Sequence, residues 1–512
     1  MAREAGDGRL PCARGSSTRP ALACLPHRPP PGVIPLPAEV AVTDARRRGS
    51  VLKLAGASYL GTALAIVTGP VVARALGAEG RGEVAAATVY FSILTLVVGL
   101  GLPTSVSHAV ATKAHPSSAV LGSVLRFVGF LAVPMAGLAV LLVHGPLSGL
   151  RGPGRLGAGL LVACVPLGVL TNCLASMLVA EGALGPIAWL RLGPLVVTAV
   201  ATVVLYAFHA LSVGVLLAVT IMVTAATALA SAALVRVRPG GRAPIRGLVA
   251  FGLRGYGGNL AVFATHMVDQ AFILPALGAR PLGYYALAVS ISAVPNSIAL
   301  AIYSRYFSLV AEAGDTDRRV ALMSKALGLT FVVSLAASVA IAAGAPLLVP
   351  LLYGRDFTKS VVPLLVLMPG TVVFCLSMVG ESFLAAVGRP GRVTLAELSG
   401  FAVTLVGLPI VVPRWGIVGA AWLSSGAYAV VLGCCLRFLR QVGPVTIRFR
   451  VVDLVELRSA AAASLRAVRS RPSSAPGDEK EAGAAPGGPG GERPQRDAAP
   501  VEDGVGPGVH EF

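Results

Sequence analysis

Asp269 stands in the middle of the apolar run "NLAVFATHMVDQAFIL", with His266 and Gln270 close by. An ionisable side chain inside a stretch apolar enough to span a bilayer is costly unless it meets a partner, water or an ion. Two roles fit: a structural pair with an Arg or Lys of a neighbouring helix, and a cation-coupling site or gate. Glu397, in a later apolar run, is a candidate partner carboxylate. Glu381 and Glu181, late in their runs, are expected near water. Arg126, Arg191, Arg254 and Arg305 sit at or just inside the ends of apolar runs. They either snorkel to lipid headgroups or turn inward and line a basic cavity. There, a guanidinium would grip phosphate oxygens two at a time, which suits a pyrophosphate headgroup.

Other chemistries find little support. "GAEGRGE", residues 77–83, has a glycine rhythm, but no strand precedes it and no Lys-Ser/Thr follows, so a phosphate-cradling loop is not expected. There is no HExxH and no cluster of Cys and His, so neither metal nor cofactor is expected. The seven cysteines form no CxxC pair and read as small packing residues. Connections between apolar runs are too short for a catalytic domain of roughly 50 residues or more. No catalytic residue is assigned.

The elements that must position these residues are membrane-spanning helices. The chain is 55% hydrophobic and 13% charged, against about 25% charged in a soluble domain. About twelve apolar runs approach the 20 residues or so that a span needs. Basic residues are scattered between them rather than clustered with aromatics, which argues against nucleic-acid binding. With the N-terminus placed inside, about 20 Lys and Arg fall on inner segments against about 8 on outer ones, so both termini are expected in the cytoplasm. Residues 1–45 and 441–512 read as cytoplasmic, mostly disordered tails, rich in Pro, Gly, Ala and Arg.

Between the tails the sequence echoes itself. Ala75-Leu76-Gly77-Ala78 recurs as Ala276-Leu277-Gly278-Ala279, and Gly82 as Gly283, without a gap. "SMLVAEG" from Ser176 returns as "SFLAAVG" from Ser382, at the ends of the fourth and tenth runs. Two lobes of six spans are expected, 46–240 and 241–440, joined by "RVRPGGRAPIR". They would be related by an axis along the membrane normal, with a pathway between them. The second run carries Gly99, Gly101 and Pro103, and its counterpart carries Pro295 and Asn296. Such paired interruptions are either ordinary kinks or pointers to a transport pathway.

Four segments together resemble the polysaccharide and oligosaccharide flippases of the multidrug/oligosaccharidyl-lipid/polysaccharide exporter superfamily. They are "ARALGAEGRGEVAAATVY" at 73–90, "VDQAFILPALGARPLGYYALAVSIS" from Val268, "LAAVGRPGR" from Leu384 and "PRWGIVGAAW" from Pro413. The resemblance covers about residues 50–440. It implies an all-α bundle of twelve or fourteen helices in two lobes around a central cavity. It also implies a multi-pass protein of the bacterial plasma membrane that flips undecaprenyl-pyrophosphate-linked oligosaccharide by alternating access. Some relatives couple to sodium or protons through a carboxylate of the seventh helix, the place that Asp269 occupies. A polysaccharide polymerase is an implied partner. The chain after residue 440 is too charged to add two spans, which favours the polysaccharide branch over the lipid II branch. A drug or toxin exporter of the same superfamily, and a polytopic polymerase or ligase, are the alternatives.

Overall fold

A computed structural model describes residues 38–235 and 237–446. The expectations for residues 1–37 and 447–512 lie outside the described residues. Among the described residues the regular structure is helical throughout. The N-terminal half comprises α1 (Ala38–Gly99), α2 (Leu102–Ala111), α3 (Ser117–His144), α4 (Gly152–Ala163), α5 (Val165–Ala180), α6 (Leu184–Ala207) and α7 (Val213–Leu234). Then follow α8 (Ile245–Leu277), α9 (Ala279–Ser292), α10 (Val294–Glu312), α11 (Thr316–Tyr353), a 3-10 turn (Arg355–Ser360), α12 (Val361–Ala386) and α13 (Pro390–Arg440). Eight of the described helical stretches are long and apolar enough to cross a membrane, and nine if α4 and α5, bent by 43°, count as one. Large apolar side chains stand fully outward on several of them, Phe130, Val133 and Trp189 among them. Lipid is the solvent that such a surface fits.

The internal echo is a backbone feature. Gly77 breaks α1 with φ 66° and ψ −174°, and Gly278 separates α8 from α9 with φ 89° and ψ 178°. Only glycine adopts that combination without strain, since a Cβ would meet the flanking carbonyls. The second echo behaves alike: Gly182 and Gly388 follow α5 and α12 with φ 75° and 76°. Gly416, with φ 59°, breaks α13 in the same way that Gly77 breaks α1.

Two hydrophobic cores hold the bundle. One lies toward the Gly77 and Gly278 turns and joins residues 73–87 to α8, α9, α11, α12 and α13, with Tyr285, Leu282 and Phe357 fully enclosed. The other, toward the 236–244 connection, packs α2, α3, α5 and the start of α6 around Leu102, Val106 and Leu174. Arg126 ties this end down. Its guanidinium donates to the carbonyls of Gly122 (2.9 Å) and Gly241 (3.0 Å), so α3 grips the connection between α7 and α8.

Candidate functional site

A cavity of about 990 Å³ lies between the two halves of the chain. Its walls come from α1 on both sides of Gly77, from α6 and α7, and across from them from α8, α9 and α11. Thr68, Thr88, Thr202, Thr220 and Thr224 face it. Each of these hydroxyls donates to a carbonyl of its own helix at 2.7–2.9 Å. Their donors are therefore spent, and the wall presents methyl groups and oxygen lone pairs. Such a surface accepts hydrogen bonds from a neutral, hydroxyl-rich cargo.

Among the described lining residues one is charged, Arg81. It sits one residue before Gly82, early in the segment that restarts α1 after Gly77. Its Nη1 donates to the Gly69 carbonyl (3.0 Å) and its Nη2 reaches Ser290 Oγ at 3.5 Å. The guanidinium lies 5.9 Å from the centre of the Tyr353 ring, while its buried Nε–H has no partner. The sequence places Glu79 and Glu83 beside Arg74 and Arg81 as if to offset them, but the structure sends both carboxylates elsewhere. Glu79 pairs with Arg151 at 2.9 Å, and Glu83 accepts the Arg151 backbone N–H at 3.2 Å. Residues two apart on a helix face different ways, so Glu79 and Glu83 share a face that Arg81 does not. Arg81 thus brings to the cavity a charge that no described carboxylate offsets, on a guanidinium that can grip an anionic group.

The carboxyls turn away from the cavity. Met267 and Gln270 of α8 line it, whereas Asp269 points into the interior formed by α8, α9 and α13 and is 2% exposed. Asp269 accepts from Tyr285 Oη (2.5 Å), from Ser424 Oγ (3.1 Å) and from the Gln270 backbone N–H (2.7 Å). These partners are neutral donors, not the Arg or Lys of the structural reading. One turn back, His266 Nδ1 lies 3.3 Å from Tyr428 Oη, with its ring edge-on to Phe374. Glu397 does not join Asp269. It lies beside Glu381 and Thr265. Glu381 is half-buried, with its Oε1 enclosed and without a partner, as is Glu397 Oε2. Among the described residues no three His, Cys, Asp or Glu side chains are grouped to hold a metal ion.

Known proteins bear on this arrangement. The sequence profile of the family described as "Polysaccharide biosynthesis protein" matches residues 71–362, which contain Arg81, Asp269 and both glycine turns. The chain belongs to that family. No curated protein matches it significantly. Among solved structures, this polysaccharide biosynthesis protein is similar to an inward-facing multidrug resistance transporter of the MATE family of the MOP superfamily. The TM-score is 0.62 at 14% identity, over 74% of this chain and 94% of that one. It is similar to the lipid II flippase MurJ in an inward closed conformation, with TM-score 0.62 at 12% identity, over 82% and 93%. A MOP superfamily transporter from Pyrococcus furiosus matches with TM-score 0.54 at 15% identity, over 77% and 95%. At these identities the likeness is one of fold, a multi-pass membrane transporter fold.

In this family member three of the four arginines named from sequence, Arg126, Arg191 and Arg305, are not among the residues that line the cavity. Arg126 serves the α7–α8 connection, and Arg191 and Arg305 are exposed. The side chain of Arg254 lies outside the described residues. Of the interruptions, Gly99 ends α1, Leu100 and Gly101 take left-handed φ of 48° and 69°, and Pro103 sits in the first turn of α2. Pro295 likewise sits in the first turn of α10, after a break at Ala293, and Asn296 Oδ1 accepts from Cys375 Sγ at 3.4 Å. The second break lies nearer its glycine turn than the first.

Two close approaches bind the halves together. At the glycine-turn end Gly82 and Gly283 cross: a methyl on Gly82 would stand 1.8 Å from the Ala279 carbonyl oxygen, and one on Gly283 1.8 Å from that of Ala78. At the other end Gly252 of α8 lies on Gly101, where a methyl would stand 2.8 Å from the Gly101 carbonyl and 2.7 Å from Ser105 Oγ. Ser105 Oγ closes that contact by donating to the Leu248 carbonyl at 2.6 Å.

Proposed function

We propose that this protein flips a lipid-linked oligosaccharide, with an anionic undecaprenyl-pyrophosphate-type headgroup, across the bacterial plasma membrane by alternating access. The observation that carries this reading is Arg81: a guanidinium with no described carboxylate, the one charge among the described lining residues, in a cavity whose other walls are apolar or neutral polar, threonine above all. An anion fits the arginine, sugar hydroxyls fit the threonine lone pairs, and a polyprenyl chain fits the apolar remainder. Membership of a polysaccharide biosynthesis family and a transporter fold agree with it. A cationic drug would meet a positive charge and no carboxylate on this wall, so the exporter reading is the weaker one. A polymerase or ligase would need a catalytic domain for which the connections leave no room.

In this proposal the chain crosses twelve times, because α1 and α13 each divide at their glycine, into lobes 46–240 and 241–440. Both termini are cytoplasmic, and the Gly77 and Gly278 turns face outward. Coupling to protons or sodium would run through the carboxyls behind the cavity wall, Asp269, Glu397 and Glu381. A polysaccharide polymerase would take the product on the outer side.

Reconstituted protein carrying a fluorescent lipid-linked oligosaccharide tests the reading. Arg81→Ala should slow translocation by about tenfold or more, since hydrogen bonds to charged groups are worth about 1.5–3 kcal/mol. Arg81→Lys should retain part of the rate, keeping the charge but losing the bidentate fork. Full activity in Arg81→Ala would remove the cavity from the mechanism.

A further inference from the structure

We infer that the two glycine crossings are the two gates of the transport cycle: Gly82 on Gly283 closes the cavity toward the glycine-turn side, and Gly101 on Gly252 closes it toward the opposite side. The inference rests on the alternating-access reading above. Both crossings involve the same stretch, residues 78–101, which runs from Gly77 to the break after α1 and touches the C-terminal half of the chain at each end. The cavity lies alongside that stretch, and Arg81, Ala85 and Thr88 line it. A pathway through this space therefore has to open the first crossing on one side and the second on the other.

Glycine–glycine contact makes such a gate both tight and weak. Without Cβ atoms the backbones come within direct van der Waals reach, which leaves no channel for water or ions. No side chains interdigitate, so separation breaks few contacts. Side chains nearby add a modest hold. At the glycine-turn end Asp356 accepts from Arg280 Nη2 (2.7 Å) and Tyr284 Oη (3.2 Å), and the Ala78 backbone N–H faces the same carboxylate from the N-terminal half. Arg74 reaches across to the Leu351 carbonyl at 2.5 Å. At the opposite end the bond from Ser105 to Leu248 serves the same purpose. Each end is thus a backbone seat with a small polar latch.

The geometry predicts opposite effects for the same chemical change. Gly283 and Gly252 both sit in regular helix without positive φ, so alanine strains neither backbone, and its methyl acts only on the crossing. A methyl 1.8 Å from a carbonyl oxygen cannot be accommodated, and Gly283→Ala should hold the glycine-turn gate open. Gly252→Ala should hold the opposite gate open. The readout is labelling of Ala85→Cys by a membrane-impermeant maleimide, in the full chain with its seven cysteines replaced, in oriented proteoliposomes. It needs no cargo, so it stands even if the flippase reading fails in the translocation assay.

Gly283→Ala should raise labelling from the glycine-turn side about tenfold and lower it from the other, and Gly252→Ala should do the reverse, as overpacking of 1–3 kcal/mol shifts a two-state balance about five- to 150-fold. Shifts in the same direction, or none, overturn the inference. Gly82→Ala tests the first crossing from its other helix, and thermal unfolding of each variant establishes that it is folded. If none folds, spin labels on Ala75→Cys and Ala276→Cys, beside the two turns and outside the crossing, in the same cysteine-replaced chain with every glycine kept, decide. Two distance populations support a gate, and a single short distance overturns it.

Discussion

Residues 75–90 and 276–291 have the same backbone and opposite assignments. Both begin with Ala-Leu-Gly-Ala, both turn at a left-handed glycine, and both cross at a second glycine five residues on. In the same register Arg81 corresponds to Leu282, Glu79 to Arg280, Glu83 to Tyr284, and Thr68 to Asp269. The first copy puts its charge into the cavity through Arg81, while Leu282 at the matching position is wholly enclosed in the core. The second copy buries a carboxylate at Asp269, while Thr68 at the matching position faces the cavity. Backbone geometry is shared because the crossing and the turn demand glycine. Side chains are free to diverge, so one half of the chain puts a cation into the cavity and the other keeps a carboxylate behind its wall. A repeat can therefore fix a pathway's frame without fixing which side does the chemistry.

Substitution at the two matching positions puts that asymmetry to its strongest trial. Leu282→Ala should destabilise the protein by about 2–5 kcal/mol, the usual cost of emptying an enclosed leucine site. Arg81→Ala should leave the unfolding midpoint nearly unchanged while transport falls. Thermal unfolding in detergent beside the translocation assay separates the two, and a large stability loss in Arg81→Ala would mean that its bond to Gly69 is structural. The second pair is smaller. Asp269→Asn replaces an acceptor by an amide that must face the donors of Tyr285, Ser424 or Gln270, and should cost about 1.5–3 kcal/mol. Thr68→Ala should cost less than about 1 kcal/mol, because its hydroxyl bonds only its own helix. Asp269→Asn should also impair transport while leaving membrane insertion intact, and unimpaired transport would make Asp269 a packing residue.

The frame is largely legible in the sequence, and the cargo site is not. Apolar runs announce helices because lipid forces every backbone group to pair within its own segment. The glycines at 77, 278, 182 and 388 announce turns because no other residue takes those angles cheaply. Asp269 is visible as a charge inside an apolar run. Arg81 is hidden by its neighbours: with Glu79 and Glu83 two residues away on either side it reads as neutralised, and only helical phase separates it from them. The Glu381–Glu397 pair is hidden for another reason. The two residues lie on different helices, and nothing in either local segment marks the other. Arg126 misleads because a snorkelling arginine, a cavity arginine and one that ties down a connection look alike at the end of an apolar run.

The smallest expected effect lies outside the cavity lining. Each half brackets its second helix to the start of its fourth with an ion pair, and the charges are reversed: Glu79 with Arg151 at 2.9 Å, Arg280 with Asp356 at 2.7 Å. Both pairs are substantially exposed, so neither is a large source of stability. In the first bracket Glu83 also accepts the Arg151 backbone N–H, and that contact survives loss of Glu79. Glu79→Ala should therefore cost less than about 1 kcal/mol, and the difference should vanish in high salt. In the second bracket Asp356 accepts from both Arg280 Nη2 and Tyr284 Oη, and losing it takes the acceptor from both groups, although Arg280 Nε still donates to Tyr284 Oη at 3.0 Å. Asp356→Ala should therefore shift the unfolding midpoint more than Glu79→Ala does, and some of that shift should persist in high salt, because Tyr284 is neutral. Equal shifts for the two variants would mean that the brackets are interchangeable, and that the asymmetry between the two halves is confined to the cavity and the groups behind it.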